Sequence, residues 1–293
     1  MSPEGLVLGA DSTSSTFISS GPGATGYHYL NHNQKLFELG ENATIGMMTW
    51  GLAGLPTISY RTLIAQFSDE LSSKNPKNVQ EIADRWSHHF WNAYQQDPQI
   101  NALMGVVRTL EQKQPHDPGN PASRTRDEEQ QLAGLKNNLF VGFCIAGYWL
   151  PDRTPLAYEI LFGPDLQASP KPRTILQPGS YAFWGMPNMI KRLMWGADES
   201  LRGMILQSGK WNGTPAELDS LFNGFQLGTP ILPIRDAIDF VHSCIHSTIK
   251  AMKFSSLFQV CGGPIEIAVI TTDRRFRWVR HKPWDVAIME GAQ

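Results

Sequence analysis

The chain has 293 residues, of which 41% are hydrophobic and 18% charged, and its formal net charge is -2. This balance is typical of a chain with a substantial core, and it gives no reason to expect nucleic acid or a membrane as a partner. No apolar run approaches the roughly 20 residues that are needed to cross a bilayer. Three widely separated cysteines, Cys144, Cys244 and Cys261, predict reduced thiols and a cytoplasmic location.

In the first half of the chain, short apolar runs precede two helical patterns. We predict strands at residues 5–11, 35–39 and 44–50. Residues 12–25 are rich in Ser, Thr and Gly and predict a turn or mobile loop, and residues 40–42 predict a second turn. The first helix is expected to start at Pro56, and the second is expected to be capped by Asn78.

A polar segment separates this half from the second. Residues 111–130 are rich in Pro, Asp and Glu, and they predict a surface insertion within a single domain that spans residues 1–293. Further strands are predicted at residues 139–147, 156–162 and 180–184, helices at 188–195, 215–222 and 234–252, and a closing hairpin at 265–270 and 276–279. Strands and helices that alternate in blocks of this kind predict an α+β fold.

Four segments of the chain carry a family resemblance. They are GLVLGAD followed by Ser12, QKLFELGENATIGMMTWGLAG, FCIAGYW followed by LAYEILFGPD, and VCGGPIEIAVIT. Together, and in this order, they resemble proteasome-type subunits of the N-terminal nucleophile (Ntn) hydrolases. The resemblance implies a four-layer α-β-β-α sandwich that assembles into rings or stacks. It therefore implies a homo-oligomer that acts on a peptide or an unfolded protein, with no cofactor and no metal.

The resemblance also implies site residues. In this family the nucleophile is the side chain of the first residue, usually Thr, and its own α-amine serves as base. Asp11 corresponds to the aspartate that holds a lysine, Lys35 to that lysine, and the backbone of Gly51 to the oxyanion hole. The alternatives are that Asp11 caps a turn, that Lys35 is a surface lysine and that Gly51 meets a conformational need.

Other positions depart from the family pattern. The strand that carries the nucleophile should precede the first strand of this sequence, so we expect the nucleophile upstream of Met1, and Ser2 comes too late to replace it. Gly185-Met186 stands where the pattern has a serine after glycine, and Phe258 and Cys261 replace an aspartate and a serine. The alternative function is therefore a catalytically inactive, ring-forming scaffold subunit, and a third is an amidase of small molecules.

Two further groups of residues could carry chemistry. Asp239, His242 and His246 recur at helical spacing and could ligate a metal, but we expect a solvated helix face because no further ligand is identifiable. Cys261 precedes the Gly262-Gly263 pair and could be a reactive thiol. We expect it to be a small buried side chain instead.

Overall fold

The structure is a computed structural model that describes residues 1–19, 25–40, 43–74, 76–176, 179–228, 230–256 and 259–282. The described residues form antiparallel sheets and helices in mixed order, which confirms the α+β class. They divide into two compact units. The terminal unit takes in the described residues of Met1–Asn33, Gln177–Thr271 and Arg277–Gln293, and the central unit those of Gln34–Leu176 and Thr272–Phe276.

The secondary structure is as follows in chain order. The strands are β1 Gly5–Ala10, β2 Ser14–Ser19, β3 Thr25–Leu30, β4 Leu36–Glu38, β5 Ile45–Gly51, β6 Val141–Gly147, β7 Leu156–Phe162, β8 Arg173–Thr174, β9 Glu266–Thr271 and β10 Arg274–Arg280. The helices are α1 Tyr60–Ser73, α2 Val79–Gln96, α3 Pro98–Glu111, α4 Arg126–Leu139, α5 Asn188–Trp195, α6 Glu199–Gln207, α7 Pro215–Asn223 and α8 Ile234–Lys253. Within the described residues, none of these helices combines the length and the apolarity that a membrane span requires.

The central unit is built on a five-stranded antiparallel sheet, ordered β4-β5-β6-β7-β8. Strand β6 is buried along its whole length, and its alternate residues Val141, Phe143 and Ile145 share one core with helices α1 and α2. In that core the ring of Phe143 lies edge-to-face at 5.1 Å from Trp86 and 4.6 Å from Phe90. This aromatic packing holds the helices against one face of the sheet.

Capping side chains decide where the helices of the central unit begin. The hydroxyl of Ser59 accepts from the N–H of Thr62, and the side chain of Asn78 accepts from the N–H of Glu81 at 2.8 Å. The predicted cap at Asn78 is therefore confirmed. The predicted start at Pro56 is wrong, because the chain reaches helical geometry after the Ser59 cap.

The terminal unit contains β1 paired with β9, followed in the same sheet by residues Arg277–Arg280 of β10, and the separate hairpin β2-β3. Strand β1 runs antiparallel to β9 along its whole length, with Gly5 opposite Thr271. Helix α8 crosses this sheet at Gly9, where a Cβ atom would lie 2.4 Å from Cγ1 of Val241. Glycine at position 9 therefore sets the close packing of helix on sheet.

The loop predicted at residues 12–25 is wrong for residues 14–19 and 25, which form strands, and residues 20–24 of this prediction lie outside the described residues. Strands β2 and β3 pair as an antiparallel hairpin, from Ser14 opposite Leu30 to Ser19 opposite Thr25. The polar sequence gives no alternating pattern, but backbone hydrogen bonds between adjacent strands form without one. The turn predicted at residues 40–42 lies partly outside the described residues.

The strand predicted at residues 180–184 is also wrong. The rings of Tyr181 and Phe183 pack against Trp195 of α5 and Phe240 of α8, with centroid distances from 5.3 to 6.5 Å. The alternation of aromatic residues at positions 181 and 183 therefore reflects contacts with helices and not a place in a sheet. The other predicted elements of the second half are confirmed as β6, β7, α5, α7, α8, β9 and β10, and helices α3, α4 and α6 are additional.

The polar segment at residues 111–130 is a structured loop followed by the first turn of α4. Its internal support is Arg124, whose guanidinium is buried and donates to the carbonyls of Leu110 and Lys113 at 3.0 and 2.9 Å. The same guanidinium pairs with Glu129 at 2.6 Å. Most of the loop is exposed, as expected of a surface segment.

Candidate functional site

Asp11 lies directly after β1 and acts as a backbone cap. Its Oδ2 accepts a hydrogen bond from the N–H of Thr13 at 3.1 Å and another from the N–H of Gly262 at 2.9 Å. The carboxylate thus ties the end of β1 to the turn that precedes β9. The alternative interpretation of Asp11 as a turn cap is therefore confirmed, and its role toward a lysine stays a prediction.

The Gly262-Gly263 turn is held from several sides. The carbonyl of Gly262 accepts from the N–H groups of Ser12 and Thr13 at 2.9 and 3.1 Å, and the Ser12 hydroxyl donates to the carbonyl of Pro264 at 2.6 Å. Gly263 has a φ of 70°, and a Cβ atom there would lie 2.4 Å from the carbonyl oxygen of Asn31. The second glycine is therefore required by both conformation and space.

Lys35 and Gly51 lie at the same end of the β4–β5 hairpin in the central unit. The backbone N–H of Thr49 donates to the carbonyl of Lys35 at 2.9 Å, so Lys35 stands opposite Thr49. Gly51 follows two residues later and ends β5. The register of this hairpin therefore brings together two of the three predicted site residues, whereas Asp11 belongs to the terminal unit.

The backbone at Gly51 is fixed in an unusual conformation. Its φ is 84°, and a Cβ atom would lie 2.4 Å from the carbonyl oxygen of Phe140. The next N–H, that of Leu52, donates to the same carbonyl at 2.8 Å. Gly51 itself is exposed, so a rigid backbone segment meets solvent at the end of the strand. The conformational need for glycine is confirmed, and the oxyanion role stays a prediction.

Two residues near this hairpin end were missed by sequence reasoning. The hydroxyl of Tyr60 donates to the carbonyl of Leu52 at 2.7 Å, and burial raises the pKa of Tyr60 well above its ordinary value, so this hydroxyl remains a donor. Thr49 is buried, and its hydroxyl has no hydrogen-bond partner among the described residues. Neither residue gave a signal in the sequence, because a Tyr that starts a helix and a Thr in a strand are common.

Ser2 is a buried residue of the terminal unit, and its hydroxyl is used in a structural hydrogen bond. It is 3% exposed, and its hydroxyl donates to the carbonyl of Leu232 at 2.8 Å. A nucleophile needs a hydroxyl that is open to substrate and beside a base. This hydroxyl is used to join the start of β1 to the segment before α8.

The cysteines offer no activated nucleophile. All three are buried and none forms a disulfide. Burial raises the pKa of Cys144 to about 12 and that of Cys244 to about 11, which keeps both thiols protonated at neutral pH. The expectation that Cys261 is a small buried side chain is confirmed. Phe258 lies outside the described residues.

The histidines of α8 are not accompanied by the further ligands that a metal site needs in the described part of the chain. The rings of His242 and His246 stack with centroids 5.8 Å apart, and Nη1 of Arg280 lies 3.0 Å from Nε2 of His242. Within the described residues, no group of three or more His, Cys, Asp or Glu side chains is arranged to hold a metal. A guanidinium beside the imidazole disfavours a cation at this place.

Comparison of the chain with protein-family models and with curated proteins gives no match.

Proposed function

We propose that this chain is a subunit of a proteasome-like Ntn hydrolase that cleaves peptides or unfolded proteins. The observation that carries the proposal is the shared position of Lys35 and Gly51 at one end of the β4–β5 hairpin. A lysine at the same strand end as a rigid, exposed backbone segment supports acyl transfer, because a cation can favour a deprotonated nucleophile and backbone N–H groups can stabilise an oxyanion.

The proposed fold is the four-layer α-β-β-α sandwich. Two observations, one from each unit, support it. In the central unit, helices cover one face of the sheet, and residues of the opposite face such as Cys144 and Ala157 are also buried. In the terminal unit, α8 lies against β1, and every residue of β9 is buried. Sheets covered by helices on one face and buried on the other are typical of layered α+β folds.

In the proposed chemistry, each residue has one role. A Thr, Ser or Cys that precedes Met1 in the mature protein attacks the scissile carbonyl, and its α-amine takes the proton. Lys35 favours the anionic nucleophile by its charge, and Asp11 has the role of the family's aspartate in addition to capping the Gly262 turn. The backbone of Gly51 donates to the oxyanion, and Tyr60 is a positioning residue that fixes this backbone through Leu52. The chemistry uses no metal and no cofactor.

The proposed setting is cytoplasmic, and the proposed assembly is a homo-oligomeric ring or stack. The test uses protein expressed from the complete reading frame and a peptide vinyl sulfone, which alkylates N-terminal nucleophiles. We expect one adduct by intact mass, mapped by tandem mass spectrometry to the first residue of the mature chain. Lys35→Ala should reduce the labelling rate at least tenfold, whereas Lys74→Ala, at an exposed helix end, should leave it unchanged. An adduct elsewhere, or equal labelling of both variants, would overturn the proposal.

Two observations favour the alternative of a catalytically inactive scaffold subunit. Asp11 already has a structural task that explains its presence, and the side chain at Met186, where the family pattern has a serine, carries no hydroxyl. This alternative predicts an oligomer in native mass spectrometry together with no vinyl sulfone adduct. An adduct on the first residue of the mature chain would exclude it.

A further inference from the structure

The helices α5 to α7 and the turn after them expose an unusual amount of apolar surface. Phe225 is 74% exposed and Met204 is 70% exposed. Four more large apolar side chains of this region are exposed by about half or more. Together the six define what we call the α5–α7 surface: Met189, Leu193, Met204, Leu221, Phe225 and Leu227.

The α5–α7 surface belongs to one cluster of helices within the terminal unit. The N–H of Leu227 donates to the carbonyl of Met194 at 2.9 Å, which ties the turn after α7 to the end of α5. The guanidinium of Arg202 on α6 makes two hydrogen bonds to Asp219 on α7, at 2.6 and 2.9 Å. The exposed side chains are therefore carried by elements that hold one another in place.

Helix α5 is apolar on two adjacent faces, of which one is buried and the other exposed. Ile190 and Met194 are buried, and Met189 and Leu193, which follow the same four-residue spacing, are exposed. A surface helix normally has a polar outer face, and a helix that is apolar all round is normally buried all round. The outer side of α5 therefore has the composition of a contact surface.

The charges in this region compensate one another. Residues 186–231 contain four Lys or Arg and four Asp or Glu. Lys191 pairs with Glu199 at 2.5 Å, Arg192 pairs with Asp198, and Arg202 pairs with Asp219. A surface with no net charge meets a second copy of itself without repulsion, whereas it offers little to a charged partner.

The area of the α5–α7 surface suits a dimer. The exposed fractions of its six side chains add up to about three and a half whole side chains, or roughly 700 Å² at about 200 Å² for each. A stable interface buries about 800 Å² on each partner, and the largest apolar patch of an ordinary monomer is about 300–600 Å². The exposed apolar area is thus larger than the largest apolar patch of an ordinary monomer. It is close to the area that each partner buries in a stable dimer.

We propose that a second copy of this chain docks on the α5–α7 surface through an apolar, two-fold contact. A shallow cleft of about 370 Å³ beside α6, lined by Leu201, Met204, Ile205 and Trp211 among others, provides a recess for a protruding apolar side chain. Phe225 is the most exposed side chain of the surface. This inference rests on the proposed function, because it names the surface through which the proposed homo-oligomer forms. Its physical basis, an exposed apolar surface, is independent of catalysis.

The test is sedimentation velocity of the full chain over about two decades of concentration, because a two-fold contact makes association concentration-dependent. We expect the wild-type chain to form a dimer or a larger assembly. Met204→Glu and Phe225→Glu should each raise the dissociation constant by roughly tenfold or more, because a charge is then buried in an apolar contact. Both sites are largely exposed, so the far-UV circular dichroism and the Tm of each variant should stay close to wild type.

The matched control is Leu103→Glu, which places the same charge on an exposed leucine of α3 in the central unit. It should assemble as the wild type does. A wild-type chain that stays monomeric over the whole range, or variants that assemble as tightly as the control, would overturn the inference. Vinyl sulfone labelling of the same samples separates the two proposals, because assembly that depends on Phe225 supports this surface even where no adduct forms.

Discussion

The carboxylate of Asp11 accepts a hydrogen bond from the backbone N–H of Gly262, which lies 251 residues further along the chain, at 2.9 Å. Because β1 and β9 pair directly beside this contact, the bond joins the ends of two strands that meet only in the folded state. A charged acceptor that serves two backbone donors is among the stronger hydrogen-bonding arrangements in proteins. Asp11 therefore contributes to stability whatever its part in catalysis.

Replacement of Asp11 measures that contribution. Asp11→Ala leaves the N–H groups of Gly262 and Thr13 without this acceptor, and we expect the free energy of unfolding to fall by about 2–3 kcal/mol. Asp11→Asn keeps a neutral acceptor and should lose roughly half as much. Urea denaturation followed by tryptophan fluorescence gives both values. Asp69→Ala, at an exposed site of α1, is the control, and a similar loss in the control would contradict the assignment.

Gly51 should tolerate no side chain. Gly51→Ala forces a φ of 84° on an L-residue and brings Cβ to 2.4 Å from the carbonyl oxygen of Phe140. We expect the free energy of unfolding to fall by about 2–4 kcal/mol, from backbone strain and overpacking together. Gly54→Ala is the matched control, because a Cβ there would meet no atom within 4 Å. Equal stability of the two variants in urea denaturation would show that the strand end can relax.

The sequence predicts the fold best where apolar spacing and caps coincide. Helix α2 combines the Asn78 cap with a regular apolar face, and the sequence predicts its start correctly. Helix α4 has two buried side chains, Leu132 and Leu139, so its apolar spacing is too sparse to detect. The signal that could have revealed it is the capping box formed by Thr125 and Glu128.

The candidate site could be predicted in part for a similar reason. Gly51 stands at the end of an apolar strand, so its special backbone could be expected from the sequence around it. The contact between the N–H of Thr49 and the carbonyl of Lys35 depends on the register of the hairpin, and the contact between Asp11 and Gly262 joins distant strands. Such pairings follow from tertiary packing, which local propensity does not encode.

Arg124 should hold the loop between α3 and α4. Arg124→Ala removes donors to the carbonyls of Leu110 and Lys113, and we expect the free energy of unfolding to fall by about 2–3 kcal/mol. Arg124→Lys should restore little, because an ammonium lacks the planar fork that reaches several acceptors. Hydrogen exchange should then accelerate at residues 112–125 specifically. Arg126→Ala, at an exposed site beside it, should change neither measurement, and faster exchange there would argue against a special role of Arg124.

His89 should make the stability of the central unit depend on pH. Its ring packs between Phe67 and Trp86, with centroid distances of 5.4 and 5.8 Å, and burial lowers its pKa although the carboxylate of Glu70 lies 3.6 Å away. In the unfolded chain the pKa of histidine is about 6.5. The folded state therefore prefers the neutral ring. The contribution of the neutral His89 ring to the free energy of unfolding is complete above about pH 6.5. It is lost as the pH falls through the lower pKa of this ring in the folded state.

His89→Gln removes this titration. We expect the free energy of unfolding of the wild type to decline more steeply between pH 7.5 and pH 5.5 than that of the variant, so that the difference between them narrows toward acid. Urea denaturation at several pH values measures both slopes, and an NMR titration of the ring gives the pKa of His89 directly. His88→Gln is the control, because His88 is the exposed neighbour on the same helix, and this variant should keep the slope of the wild type. If His89→Gln also kept the wild-type slope, the acid sensitivity would have to arise from carboxylates such as Asp97, whose pKa is lowered and which would act at lower pH.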